Sequence, residues 1–204
     1  MATLRLDDLR QHSDVLRLPS GRAVTVRFVE PGDAEALQGY FRSLTTRSRY
    51  NRFLGAMSEL PHNLLADFVH VGEKDRFSVI ATMAVDGREA IVGEARYAFD
   101  PRTDSFEFGL SIDDRWQGQG VGSALLSNLE CRAAAFGATR LFGDTLRSNG
   151  VMIALARKSG FAFTNNPDDW KLVRFQKNSD LAPKQIPCAS WRLAAEQISL
   201  QPAV

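Results

Sequence analysis

Between Asp113 and Ser123 the chain reads Asp-Asp-Arg-Trp-Gln-Gly-Gln-Gly-Val-Gly-Ser. Gly118, Gly120 and Gly122 cluster there, at the start of a segment with helical spacing. The first turn of a helix leaves N–H groups without partners and carries the positive end of the helix dipole. Glycines let an anion reach that backbone without meeting a Cβ. A phosphate or diphosphate is the ligand this favours; an ordinary glycine-rich turn is the plain alternative. Two other phosphate-binding motifs do not fit. A Walker loop needs Lys then Ser/Thr after its last glycine, where Ser123-Ala124 stand. A dinucleotide fingerprint counted from Gly118 needs Gly or Ala at 123, which is Ser.

The elements around this turn follow from apolar spacing. Val24–Val29 alternates apolar and polar residues and predicts a half-buried strand. After the break at Glu30-Pro31-Gly32-Asp33, the spacing of Leu37, Phe41 and Leu44 predicts a helix over 34–44. Residues 45–71 are helical in character, with Pro61 starting a new helix. Then Phe77–Val85, Ala90–Phe99 and Ser105–Ile112 predict three strands in succession. They are joined by Asp86-Gly87, a strong hairpin signal, and by the turn 100–104. Such an antiparallel meander argues against a parallel βαβ unit before the glycines. Val121, Leu125, Leu129, Ala133 and Phe136 share one helix face, and Gly137 suits the position just past its end. A strand over 140–145, a helix over 149–159 stopped by Gly160, and strands at 161–163 and 171–176 close the unit. The expected fold class is α+β, with a mixed central sheet of six to seven strands flanked by helices. Residues 1–17 read as an irregular extension, 18–177 as the domain, and 178–204 as a tail docking through Trp191.

Composition excludes several functions. With 25 Lys+Arg against 24 Asp+Glu, the net charge of +1 gives no electrostatic argument for a nucleic-acid or membrane partner. No apolar run approaches the ~18 residues of a spanning helix. The first ten residues contain acids and no apolar core, unlike a secretory signal. Cys131 and Cys188 are the only cysteines. They allow no disulfide framework or zinc knuckle, and reduced thiols in a cytoplasm are the expectation. His12, His62 and His70 lack metal-site spacing, so no metal is expected.

Gln117-x-x-Gly120-x-Gly122, after an apolar strand and opening a helix, resembles the acetyl-CoA loop of the GNAT N-acetyltransferases. Asn149 with Met152, Leu155 and Gly160-Phe161 is similar to the family's later segment. The likeness runs from about Arg22 to Gln176. RFVEPGDAEALQGYFRSLTTRSRYNRF and DDRWQGQGVGSALL further resemble the acetyltransferase domain of bacterial Pat-type protein-lysine acetyltransferases. That domain is often fused to other regions, for which 204 residues leave no room, so a stand-alone version is expected.

The resemblance implies acetyl-CoA as co-substrate and a primary amine as acceptor. Backbone N–H groups of Gln117, Gly118, Gln119, Gly120, Val121 and Gly122, extending to Ser123, would hold its diphosphate. Backbone groups of the segment Leu110-Ser111-Ile112 would pair with the pantetheine arm as an added strand would, through Leu110 and Ile112. That requires strand 105–112 to splay from its neighbour. Asn149 would touch the cofactor arm. The N–H of Ile112 would serve as oxyanion donor.

The amine must lose a proton, since a free lysine has a pKa of about 10.4. Alternation puts Glu107, Gly109 and Ser111 on one face of their strand. A carboxylate beside two small residues has room for a substrate, and burial would raise its pKa toward neutrality. Glu107 is the expected base, in agreement with the Pat-type resemblance; Glu94 and water are the reserves. Many GNAT enzymes place an acidic Tyr seven positions after the Asn, where this chain has Ala156. Arg47, Arg49 and Arg52 form either a solvated face or a reader of an acidic substrate or of the cofactor's 3′-phosphate. Trp116 is expected to pack under the loop. A protein lysine is the leading acceptor. A small amine such as a polyamine, amino acid or antibiotic, or a non-catalytic acetyl-CoA sensor, are the alternatives. A homodimer is compatible with the sequence.

Overall fold

The computed structural model describes residues 12–71, 76–179 and 188. They form one eight-stranded sheet with helices on both faces. The strands are β1 (Asp14–Arg17), β2 (Ala23–Phe28), β3 (Arg76–Val85), β4 (Arg88–Asp100), β5 (Ser105–Ile112), β6 (Arg140–Leu146), β7 (Ala162–Asn165) and β8 (Leu172–Asn178). The helices are α1 (Ala34–Ser43), α2 (Thr46–Phe53), α3 (His62–Val69), α4 (Val121–Ala135) and α5 (Gly150–Lys158). The strand order is β1-β2-β3-β4-β5-β6-β8-β7, and only β5–β6 is parallel. No described helix is long and apolar enough to cross a membrane.

All seven expected strands form. The eighth corrects the reading of residues 1–17 as irregular: Asp14–Arg17 pair antiparallel with 23–26 as an edge strand. Asp14 reaches a partner invisible in local pattern. It is buried, and its Oδ2 accepts from Asn128 at 2.7 Å on α4. Asn128 in turn accepts from Arg132 at 2.7 Å, and the Arg132 guanidinium lies 4.7 Å from the Phe28 ring. A carboxylate at the chain start thus offsets a buried arginine that could not stand alone.

Two turns form as their residues require. Asp86 and Gly87 both have positive φ, 50° and 74°, which matches the strand twist of a two-residue hairpin. Gly137 ends α4 with φ 79°. The core lies on both faces of the sheet. Val24, Val26, Tyr97, Phe106 and Phe108 pack on the α4 side, where Val121, Leu125, Leu129 and Ala133 are fully buried. On the opposite face α1, α2 and α3 cover β3, β4 and β5.

The cysteine expectation is overturned. Cys131 and Cys188 are bonded to each other, with Cα atoms 6.2 Å apart, within disulfide reach. The Cys188 N–H also donates to Cys131 Sγ at 3.1 Å. Spacing along the chain says nothing about this, because the two residues meet only once α4 is docked. Trp191 lies outside the described residues.

Candidate active site

The site begins where β5 parts from β6. The two strands pair only over Ser105–Glu107 against Arg140–Phe142. Beyond Glu107 that edge of β5 is open. On its other edge β5 stays paired with β4 up to Gly93↔Ile112, and the Asp113 N–H continues the ladder to Val92 O at 3.0 Å. Peptide groups alternate along a strand, so 109 and 111 face β4 while 110 and 112 face the open edge. The expected splay is present, and the Ile112 N–H points into it. One difference appears: the Ile112 carbonyl accepts from Gln117 Nε2 at 3.1 Å.

The open edge leads to the glycine loop. Gly118 and Gly120 have φ 74° and 95°, conformations that L side chains rarely adopt. Gly120 is the N-cap of α4 and makes no side-chain cap bond, so the first turn presents backbone N–H groups from Val121, Gly122 and Ser123. A Cβ on Gly120 would also lie 2.8 Å from Pro19. Val121 is fully buried and anchors the helix start, while Gln119 is exposed and donates to Arg115 O at 2.8 Å. Trp116 is half-buried against the core, with the Arg22 guanidinium 5.3 Å from its ring.

Asp114 ties this loop to α2. It accepts from Thr45 N–H at 2.9 Å, Thr45 Oγ1 at 3.0 Å and Ser48 Oγ at 2.7 Å. Burial works against its charge, but the bonds from Ser48 and Thr45 outweigh that and hold its pKa below the usual carboxylate value.

Two connected cavities follow β5. One, of about 340 Å³, is lined by Ser48, Leu110, Ile112, Gln117, Asn149 and Leu155. The other, of about 390 Å³, is lined by Phe68, Arg76, Arg96, Ala98, Glu107 and Asp144. They share Asn51, Arg52, Leu110, Asn149 and Met152. Asn149 sits at this junction as the N-cap of α5: its Oδ1 accepts from Met152 N–H at 3.2 Å and its Nδ2 donates to Thr145 at 3.0 Å.

Glu107 reaches the second cavity, but its setting differs from the expectation. It is exposed, so the expected burial is missing. The space expected over Gly109 and Ser111 is filled, so the open room beside Glu107 lies elsewhere in this cavity. The Arg52 side chain lies over Gly109, where an added Cβ would be 2.9 Å from Nη1. Ser111 is also occupied: its hydroxyl donates to Glu94 at 2.8 Å and lies 3.0 Å from the Tyr40 hydroxyl. Burial, chiefly, raises the Tyr40 pKa well above its usual value. Glu94, the reserve base, is 1% exposed and takes three donors, Ser111 and two nitrogens of Arg52. It is a counter-ion here.

The three arginines of α2 therefore part ways. Arg47 is exposed, and Arg49 donates to the carbonyls of Met57 and Arg42, both at 3.0 Å, and to that of Leu44. Arg52, with 13% of its side chain exposed, pairs with Glu94. The reading as a solvated face is corrected for Arg49 and Arg52, while Arg52 still lines both cavities. Asp114 and Tyr40 are site residues that sequence reasoning missed, and it named Arg52 without its partner Glu94. Their partners lie 42 to 71 positions away, and no spacing rule signals such pairs.

Known proteins share this chain's sequence pattern and fold. The family model described as Acetyltransferase (GNAT) family matches residues 40–161. Acetyltransferase PA5475 of Pseudomonas aeruginosa is 28% identical over 152 residues, covering 74% of this chain and 82% of that protein. The crystal structure of the GNAT domain of S. lividans PAT superposes with TM-score 0.74 at 25% identity, covering 81% of this chain and 96% of that one. The fold is also that of yncA from Salmonella typhimurium, solved with its cofactor acetyl-CoA, at TM-score 0.61 and 19% identity, over 77% and 94% of the two chains. The chain therefore belongs to the GNAT acetyltransferase family.

Proposed function

We propose that this chain moves the acetyl group of acetyl-CoA, the donor its family uses, to a primary amine, with a protein lysine as the leading acceptor and Glu107 as general base. The observation that carries the reading is the opening of β5 beyond Glu107 in line with the uncapped start of α4. An acyl carrier with a diphosphate at one end fits that arrangement. The N–H groups of Gly118, Gly120, Val121, Gly122 and Ser123 would meet the anion, with Gln117 and Gln119 framing the loop. Leu110 and Ile112 offer peptide groups to an extended arm. Asn149, Met152 and Leu155 line the opposite wall. Ser111 contributes indirectly, since its hydroxyl belongs to Glu94.

The co-substrate supplies an acetyl thioester. Glu107 takes a proton from the acceptor ammonium, directly or through a water, and frees the lone pair that forms the N–C bond as the C–S bond breaks. The Ile112 N–H faces the edge where the carbonyl oxygen would gain charge. Ala156 has no proton to give, so the leaving thiolate takes its proton from solvent. The catalytic unit is read as 18–177, extended back to Asp14 by β1. A cytoplasmic setting rests on the sequence alone, and the Cys131–Cys188 bond removes the reduced-thiol argument for it.

The second reading, a small amine, is favoured by the size of the Glu107 cavity, about 390 Å³, which suits a small molecule. Glu107→Gln tests the mechanism. Thiol release should fall about 100-fold or more, in line with the loss of a positioned base. Calorimetric binding of coenzyme A should be unchanged. Full activity of Glu107→Gln across pH 6–9 removes Glu107 as base.

A further inference from the structure

The charges around the Glu107 cavity are sorted by position. Arg76 on β3 pairs in register with Ala98 on β4, and Ala98 with Glu107 on β5. These three residues form one row on one face of the sheet. At strand spacing, the outer two have Cα atoms about 9–10 Å apart. Arg96, two residues before Ala98, lies on the same face and also lines the cavity. The small Ala98 leaves the middle of the row low.

The other charges at this cavity are closely paired. Arg52 holds Glu94 at 2.5 Å, and Arg174, whose charge Glu107 also feels, holds Asp144 at 2.8 Å. Arg96 is less well matched. Its guanidinium lies 4.8 Å from the Phe68 ring, and its carboxylate partner, Asp67, is 3.6 Å away and half-exposed. Burial, with Arg76 and Arg52 adding to it against the pull of Asp67, lowers the Arg96 pKa. Among the described residues, no ion pair of 4.0 Å or less involves Glu107 or Arg76. One wall of the cavity is thus anionic and the other cationic. The donor's diphosphate does not explain the cationic wall, because Gln117, which leads into the glycine loop, lines the other cavity and not this one.

We propose that the acceptor carries a carboxylate, seated between Arg76 and Arg96 while its amine faces Glu107. This rests on the acetyltransferase reading and narrows its acceptor class. A lysine amine at full extension lies about 7 Å from its own carboxylate, a span that fits within the row. The carboxylate comes either from the amino acid itself or from an acidic residue flanking the lysine of a peptide. Polyamines are disfavoured, because a second ammonium would meet Arg76 and Arg96.

The test uses the full chain and two matched pairs. One pair is Nα-acetyl-lysine and its amide; the other is a lysine peptide flanked by Glu or by Gln. Spermidine serves as a polyamine control. Thiol release gives kcat/KM, and calorimetry on the coenzyme A complex gives acceptor Kd without turnover. The carboxylate member of at least one pair should be favoured about 10-fold or more, as for a charged hydrogen bond. A preference in the first pair points to a free amino acid, and one in the second alone to an acidic peptide. In Arg76→Gln, an exposed position, and in Arg96→Gln the ratio should fall toward one, with the melting temperature recorded for each. Equal use of both members of both pairs, a ratio unchanged in both variants, or spermidine as the best acceptor overturns the proposal. If no amine releases thiol but the binding preference holds and depends on Arg76, the catalytic reading fails while the carboxylate site stands.

Discussion

Arg52 crosses β5 above Gly109 and grips the buried Glu94 through two nitrogens, Nε at 2.5 Å and Nη2 at 3.1 Å. Glycine at 109 makes the crossing feasible, and Ser111 completes the carboxylate's hydrogen bonds from the same strand. This pair sits where the two cavities join.

Gly109→Ala should therefore act through Arg52. Its Cβ would press the guanidinium away from a carboxylate that is 1% exposed. A loss of about 1–3 kcal/mol in urea unfolding is expected, as for other overpacked sites. In an Arg52→Ala background the same substitution should cost clearly less, because the clash is gone. Additive losses in that double-mutant cycle would show the two residues to be independent.

Asp114→Asn should loosen the joint between the glycine loop and α2. The Asp114 pKa is lowered in the folded state, so its contribution is complete above the ordinary carboxylate pKa of about 4. It is lost as pH falls below that value toward the folded one. The stability gap between wild type and Asp114→Asn should be about 1–2 kcal/mol at pH 7 and shrink below pH 4. A gap that is constant from pH 7 to pH 3 would assign the effect to shape instead of charge.

Cys188→Ser should lower the melting temperature, and reduction of the wild type should do the same. Closing a loop across 57 positions is worth up to about 4 kcal/mol on the chain-entropy estimate. Cys131→Ser should match it, and the double variant should add nothing further. Intact mass before and after reduction should differ by two hydrogens. An unchanged mass would show that the thiols are free.

Much of the fold was legible because its signals are local. Asp86-Gly87, Gly137 and Gly160 end their elements through their own backbone preferences, and β3 to β5 follow from apolar runs between turns. The glycine loop was legible for the same reason, since positive φ and an uncapped helix start are properties of Gly118 and Gly120 themselves. The α+β class and an anion-binding turn were therefore readable from local pattern, whereas acetyl transfer came from the resemblance to the GNAT family.

Other features had to wait for tertiary structure. Asp14 lies on an edge strand whose docking is completed by its contacts with Asn128 and Arg132, which are 114 and more positions away. Glu107 and Glu94 look alike in sequence, each on a strand. Packing leaves Glu107 exposed at a cavity and buries Glu94 under Arg52. The Cys131–Cys188 pair, the anchoring of Asp114 on α2 and the row Arg76–Ala98–Glu107 also arise between residues distant in the chain. Backbone preferences act over a few residues, whereas desolvation and charge pairing depend on which surfaces meet. The chain could thus declare its loop and strands, but only the folded sheet could decide which carboxylate faces a cavity and which is buried.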